Sequence, residues 1–254
     1  MFLEVVGADG SKQAGNHLVS MKLGNSVLLD AGSASSLTNS EQMQVEVVLL
    51  THAHLDHILD LGFLADATAS QRSNPLTVIG SEASLAIVRK HYMNDLIWPD
   101  FSLLETGHGV ALDYIDLVDG EWLELPDDLR ALPIPVNHGA GARGFIFDSG
   151  SSSIAYTGDT GPTERIWELA SNVDNLSMVI AEVSFPDRLN DVAIASDHMT
   201  PGLLEKEMEK LDRPGIPIFA FHLKPWFRHE IERDLARRFS DRAVLLVRGD
   251  RFTF

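Results

Sequence analysis

Short apolar, β-branched runs recur along the chain, separated by turn-forming residues. Residues 2–6 read as an opening strand, and residues 17–22 and 26–29 as a hairpin about Gly24-Asn25, alternating in the first arm and apolar in the second. Residues 45–50, Val-Glu-Val-Val-Leu-Leu, fit a buried strand, and so do residues 75–80. Strand-like runs fill residues 113–136. Residues 144–148 and 153–157 read as paired strands about a Ser/Gly turn. Residues 178–181 and 218–221 are buried strands, and residues 243–247 close the series.

Helical patterns are interspersed. The run over residues 58–67 can start a helix. Ser81 caps a helix to about residue 91, and Pro162 and Glu164 open one through residue 170. Thr200 and Pro201 fit the cap and first position of a helix to Leu211, with apolar residues at 203, 204, 208 and 211. A last helix covers about 228–239. Residues 33–44 read as polar connection, and residues 92–109 as an irregular excursion, either a lid or an ordered surface segment. No fixed-period repeat or linker interrupts the pattern, so residues 1–254 are expected to form a single domain. A four-layer helix–sheet–sheet–helix (αββα) sandwich, an α/β fold, would bury both sheets and both helix layers.

The 254 residues carry 37 acidic and 20 basic side chains, a formal net charge of −17. That balance disfavours a strong grip on nucleic-acid backbones. There is no cysteine, which excludes disulfides, iron–sulfur clusters, cysteine nucleophiles and thiolate zinc sites. No stretch reaches the length of a membrane span, and residues 1–7 lack the basic and apolar regions of a leader. The expectation is a cytoplasmic protein with a small-molecule partner and no membrane association; the oligomeric state, a homodimer included, is left open.

The candidate chemistry sits where the strand pattern breaks. Residues 51–57 read Thr-His-Ala-His-Leu-Asp-His, directly after the run at 45–50. In an extended stretch residues two apart point the same way, so His52 and His54 can approach one cation together. Asp56 and His57 lie beyond the turn and can face a second. Imidazole and carboxylate suit zinc, manganese or iron. Further apolar runs end in isolated metal-capable residues: His138, Asp159 and His222. Asp30 also ends a strand, and two readings compete for it. Its residue type favours a loop organiser; the alternative is a partner to a ligating histidine.

This arrangement resembles the metallo-β-lactamase superfamily: HxHxDH, a later His, a Gly-Asp after a strand, and a final His. The resemblance implies that His52, His54 and His138 bind one metal, that Asp56, His57 and His222 bind the other, and that Asp159 bridges them. It implies two divalent ions, zinc first, with manganese or iron as alternatives. Residues 181–186 (AEVSFP), 196–201 (SDHMTP) and 222–225 (HLKP), with Ile97-Trp98-Pro99, resemble the class II cyclic-nucleotide phosphodiesterases. The sequence departs from that family's first motif at Asp60, Phe63 and Ala65, where the family prefers Gly, a smaller aliphatic residue and Ser. Glu182 and His198 also resemble an acid–base pair of the transfer-RNA 3′-processing nucleases.

The implied activity is hydrolysis of 3′,5′-cyclic AMP or GMP to the 5′-monophosphate by a two-metal-activated nucleophile. Asp159 and Asp56 hold metal charge, and His198, oriented by Glu182, protonates the leaving 3′ oxygen. Lys224 stabilises phosphoryl charge, and Trp98 is the first candidate to stack the base. Three rivals remain: a transfer-RNA nuclease, a lactone or thioester hydrolase of the same fold, and a low-turnover ligand-binding scaffold. The acidic balance counts against the first. The second has no use for the Glu182–His198 pair. Asp60 keeps the third open.

Overall fold

The computed structural model describes residues 1–139 and 141–254. In chain order, β1 (Phe2–Gly7), β2 (Ser20–Leu23), β3 (Val27–Leu29), helix α1 (Asn39–Gln44), β4 (Val47–Leu49), α2 (Leu55–Ile58), α3 (Leu61–Thr68), β5 (Leu76–Gly80) and α4 (Glu82–His91) open the molecule. A small ribbon of β6 (Glu105–Thr106) and β7 (Gly109–Val110) precedes β8 (Leu112–Asp116). The second half holds β9 (Leu123–Leu125), β10 (Leu129–Pro135), β11 (Arg143–Asp148), β12 (Ser153–Tyr156), α5 (Arg165–Ser171) and β13 (Leu176–Glu182). It ends with α6 (Asn190–Ala195), α7 (Pro201–Met208), β14 (Ile218–Phe221), α8 (Arg228–Phe239), β15 (Ala243–Leu245) and β16 (Arg251–Thr253).

Two seven-stranded sheets result, ordered β16-β1-β2-β3-β4-β5-β8 and β15-β14-β13-β12-β11-β10-β9. Each is antiparallel in one half and parallel in the other. Strand alternation assigns the layers. Leu29 and Leu49 of the first sheet face Phe145, Phe147, Tyr156 and Phe221 of the second, in the core between the sheets. Their neighbours Leu28 and Val48 point the other way, onto Leu61 and Leu64 of α3 and Leu85 and Val88 of α4. On the far side Ile146, Ala155, Val179 and Ala220 pack against Trp167 of α5, Leu204 of α7 and Leu235 of α8. The expected αββα layering is what forms.

The caps fall where expected. Ser81 accepts from the Ser84 amide and Thr200 from the Leu203 amide, with Pro201 in the first turn. Three segments differ from expectation. Within the supposed polar connection, Thr38 and Glu41 form a reciprocal capping box that starts α1. Helix α6 lies in a stretch with no assigned element. The closing strand is shorter than 243–247, and the chain then crosses to the other sheet, where β16 pairs with β1. The segment 92–109 is ordered by the Met93–Trp98 bridge and the short ribbon.

The inter-sheet core carries the stability of this layering. Phe147 is fully buried there and stacks on Phe145 with ring centroids 5.4 Å apart. Phe147→Ala is expected to cost about 3–5 kcal/mol, measured by chemical denaturation. Wild-type stability in that variant would mean the two sheets do not pack as described.

Candidate active site

The strands β3, β4, β10, β12, β13 and β14 run so that their C-terminal ends meet at one edge of the sandwich. The polar residues that end them converge there. His54 is still extended (φ −68°, ψ 148°) as the residue before α2, while Asp56 and His57 ride on that single helical turn. Gly158 supplies the left-handed turn (φ +61°) before Asp159; a Cβ there would sit 2.5 Å from the Arg143 carbonyl oxygen. His222 itself adopts φ 66°, uncommon for a residue with a side chain, and its amide donates to the Ala8 carbonyl at 2.7 Å.

Two donor groups result. His52, His54 and His138 present atoms within 4.8 Å of one another, and so do Asp56, His57 and His222. Asp159 Oδ2 lies between them, 2.9 Å from His222 Nε2 and 3.2 Å from His57 Nε2, but also 3.9 Å from His52 Nε2 and 4.0 Å from His138 Nε2. The seven residues singled out from spacing are thus brought to one place.

Several partners aim these rings. His138 Nδ1 is 2.9 Å from the Asp197 carbonyl oxygen, which turns Nε2 inward, where it stands 3.1 Å from His54 Nδ1. Asp30 is more than the loop organiser its residue type suggested. Its carboxylate accepts from the Thr51 amide and hydroxyl at 2.8 Å, and its Oδ2 lies 2.7 Å from His57 Nδ1. It therefore fixes the ring tautomer so that His57 Nε2 faces the cluster. Thr51 Oγ1 lies 3.0 Å from His52 Nδ1 and does the same for that ring.

Glu182 and His198 also meet. Glu182 Oε1 lies 2.9 Å from His198 Nδ1 and accepts from the Met199 amide at 2.9 Å. The His198 ring sits 4.8 Å from that of His138 and 5.1 Å from that of His222, centroid to centroid. Ser184, which sequence reasoning passed over, is fully buried between them. Its hydroxyl donates to Glu182 Oε2 at 3.1 Å and lies 2.9 Å from His222 Nδ1.

The electrostatics suit cation binding. Burial, foremost, holds His52, His54 and His138 below the ordinary imidazole value; repulsion from His57 adds to this at His52, and from His138 at His54. That direction favours the neutral rings, which can offer lone pairs to a cation. Burial opposes charge on Asp159 and Asp56 too, but histidines outweigh it: His222 and His57 hold both carboxyls below the usual range. Conversely, burial works against a charged His57 and His222, yet Asp159, with Asp30 at the first and Asp56 at the second, pushes both upward. The same negative field favours a metal cation, which has to displace those protons to bind.

The residues fit a divalent metal centre on a separate ground. Among the described residues, five buried side-chain polar atoms lack a hydrogen-bond partner, and three of them are His52 Nε2, His57 Nε2 and Asp159 Oδ1. Unpaired buried polar atoms cost free energy unless a bound ion or water satisfies them. Tetrahedral zinc ligands at ~2.0–2.1 Å from the ion stand about 3.3 Å apart, close to the 3.1 Å between His54 and His138.

Lys224 donates to the Gly10 carbonyl at 2.6 Å with one of its three ammonium protons. Trp98 is half-buried and tied to α3: its Nε1 donates to Gly62 O at 3.1 Å and its ring meets Phe63 edge-on at 4.8 Å. Together with Ala53, Leu55 and Ile97 it lines an apolar hollow of about 400 Å³. Asp60, the departure from the family's first motif, is buried, and its carboxylate accepts from the Ser35 amide and hydroxyl.

Residues 25–217 match the family model described as a beta-lactamase superfamily domain. The chain belongs to the beta-lactamase superfamily. Within it, the chain is similar to a "Probable 3′,5′-cyclic-nucleotide phosphodiesterase" of Yersinia pestis (28% identity over 211 residues, 74% of this chain and 59% of the relative). It is equally similar to the 3′,5′-cyclic-nucleotide phosphodiesterase of Schizosaccharomyces pombe (28% over 222 residues, 73% and 61%). The chain thus spans about three-fifths of the length of these two relatives. Ribonuclease Z of Borrelia hermsii is 24% identical over 262 residues, 82% of this chain and 81% of that one.

Among solved structures, unliganded yeast PDE1 superposes with a TM-score of 0.82 at 18% identity, covering 98% of both chains. The metallo-β-lactamase fold protein YhfI of Bacillus subtilis gives 0.81 at 18%, covering 99% of both. The superfamily member described here therefore has the metallo-β-lactamase fold, and its resemblance to the cyclic-nucleotide phosphodiesterases is borne out. Among the described residues, no helix is long and apolar enough to cross a membrane.

Asp30 supplies the direct check on how the superfamily member aims its ligands. Asp30→Asn keeps the shape but weakens the hold on His57 Nδ1–H. Divalent-metal affinity, read by competition with a chromophoric chelator, is expected to fall 10- to 100-fold. Unchanged affinity would show that His57 is aimed without Asp30.

Proposed function

We propose that the protein is a metal-dependent phosphodiesterase that hydrolyses 3′,5′-cyclic nucleotides to 5′-monophosphates. The observation that carries this reading is the Glu182–His198 pair beside the metal ligands. A phosphodiester has a poor alkoxide leaving group, so its hydrolysis benefits from a positioned acid. Acyl substrates of the same fold have no equal need for one. The names of the Yersinia and Schizosaccharomyces relatives support the cyclic-nucleotide substrate.

In this reading His52, His54 and His138 hold one zinc ion, Asp56, His57 and His222 hold a second, and Asp159 reaches both. When bound, the two ions supply a nucleophile at neutral pH and polarise the phosphoryl group. The protein's own part is orientation and proton delivery. Glu182 takes Nδ1–H of His198, which leaves Nε2 to give its proton to the departing 3′ oxygen as the P–O3′ bond breaks. Glu182 also balances the charge of the doubly protonated ring. Asp30 and Thr51 keep the His57 and His52 rings from rotating. Lys224 adds positive charge near His222 while bracing the loop at Gly10.

A second reading, a ribonuclease Z-type nuclease, is favoured by one observation: that relative is matched over most of its own length. The net charge of −17 stands against it, since an RNA substrate must be held through its phosphates.

The test is turnover of cyclic AMP and cyclic GMP by zinc-loaded protein, beside bis(p-nitrophenyl) phosphate, a lactone and a precursor transfer RNA. Cyclic-nucleotide hydrolysis is expected to fall about 10²- to 10⁴-fold in His198→Ala at unchanged metal content. Hydrolysis of the nitrophenyl diester, whose leaving group needs no proton, is expected to fall much less. Lactone turnover that survives His198→Ala, with no cyclic-nucleotide turnover in the wild type, would sink the proposal; transfer-RNA cleavage alone would establish the second reading.

A further inference from the structure

Glu182 ends β13, His198 lies between α6 and α7, and His222 follows β14, yet one side chain touches all three. Ser184 Oγ lies 3.1 Å from Glu182 Oε2, 3.2 Å from His198 Nδ1 and 2.9 Å from His222 Nδ1. It lies also 3.2 Å from the His222 carbonyl oxygen. The residue has no exposure, and so its hydroxyl cannot trade these contacts for water.

A hydroxyl has one proton and two lone pairs. Glu182 Oε1 already accepts from the Met199 amide and faces His198 Nδ1, so the Ser184 proton goes to Glu182 Oε2 at 3.1 Å or to the His222 carbonyl oxygen at 3.2 Å. With that proton committed, the oxygen is left as an acceptor toward His222, and Nδ1 of that ring must carry a hydrogen. With Nδ1–H held there, Nε2, which stands 2.9 Å from Asp159 and 3.2 Å from Asp56, is the nitrogen that offers its lone pair when a metal ion displaces its proton. The grouping of Glu182, His198 and His222 is thus a hydrogen-bonded relay rather than a third metal site, although its donor atoms lie within 4.8 Å of one another.

We propose that Ser184 is the positioning residue that couples the acid pair to the metal centre: one hydroxyl sets the tautomer of His222 and the orientation of Glu182, and through Glu182 that of His198. The acid half of this inference rests on the phosphodiesterase reading. The metal half stands on the donor geometry alone. Two consequences separate Ser184 from a residue that merely fills space. Its loss weakens metal binding, although it is not a ligand. Its loss also makes turnover more sensitive to the leaving group, although it does not touch the substrate.

The experiment compares wild type, Ser184→Ala and Ser184→Thr in two measurements. Zinc affinity, by chelator competition, is expected to fall about 10-fold or more in Ser184→Ala and to return toward wild type in Ser184→Thr, which restores the hydroxyl. For diesters, Ser184→Ala is expected to lose at least ten times more activity on cyclic AMP than on bis(p-nitrophenyl) phosphate. Wild-type zinc affinity in a folded Ser184→Ala overturns the proposal whatever the activities are. Equal losses on the two diesters overturn its acid half. A wild type inactive on cyclic AMP removes the phosphodiesterase reading, and Ser184-dependent zinc affinity would still support the link to His222.

Discussion

An ionised carboxylate with no access to water dominates this structure. Asp159 is fully buried at the floor of the site, where an isolated charge would cost several kcal/mol even after relaxation. It stays ionised because imidazoles ring it: His57 and His222 within 3.2 Å, His52 and His138 at 3.9 and 4.0 Å. Four rings round one carboxylate are more donors than one proton can serve. The surplus lone pairs and the unpaired Oδ1 make the cluster a cation site rather than a structural ion pair.

The fold serves that cluster. Both sheets present the C-terminal ends of parallel strands to one edge, so residues far apart in sequence become neighbours there. His222 and Asp56, 166 positions apart, come within 3.2 Å. Behind the ligands stands a shell of oxygen atoms: Asp30 against His57, Thr51 against His52, the Asp197 carbonyl against His138, and Ser184 against His222. Each holds the far nitrogen of a ring, and so each fixes which nitrogen faces inward. Left-handed backbone at Asp30, Asp197 and His222 marks three of these positions. Local backbone preference has been overridden there to put the donors in place.

The candidate donors differ in how far the sequence carries them. HxHxDH after a β-branched run is a specific local signal, whereas His138, Asp159 and His222 are each weak alone and are grouped with it only by the family resemblance. The strands that form the core were legible because continuous apolar runs such as Val27-Leu28-Leu29 and Phe145-Ile146-Phe147 mark strands buried on both faces. What stayed hidden was set by distant contacts. For Asp30 two readings competed, and only His57 lying across from it, 2.7 Å from its carboxylate, decides for the partner of a ring over the plain loop organiser. Ser184 looks like any serine after a strand until three elements close around it. The return of residues 251–253 to the first sheet is a long-range pairing with no local mark. By contrast, the Thr38-x-x-Glu41 box was readable, and the polar composition around it concealed the short helix it starts.

The measurement that bears most directly on this account is anomalous diffraction from crystals of the protein grown with zinc. Two peaks are predicted, one among His52, His54 and His138 and the other among Asp56, His57 and His222, with the Asp159 carboxylate between them. A single peak with Asp159 on one side only, or zinc bound at the Glu182–His198 pair, would contradict the shared-carboxylate centre on which the rest depends.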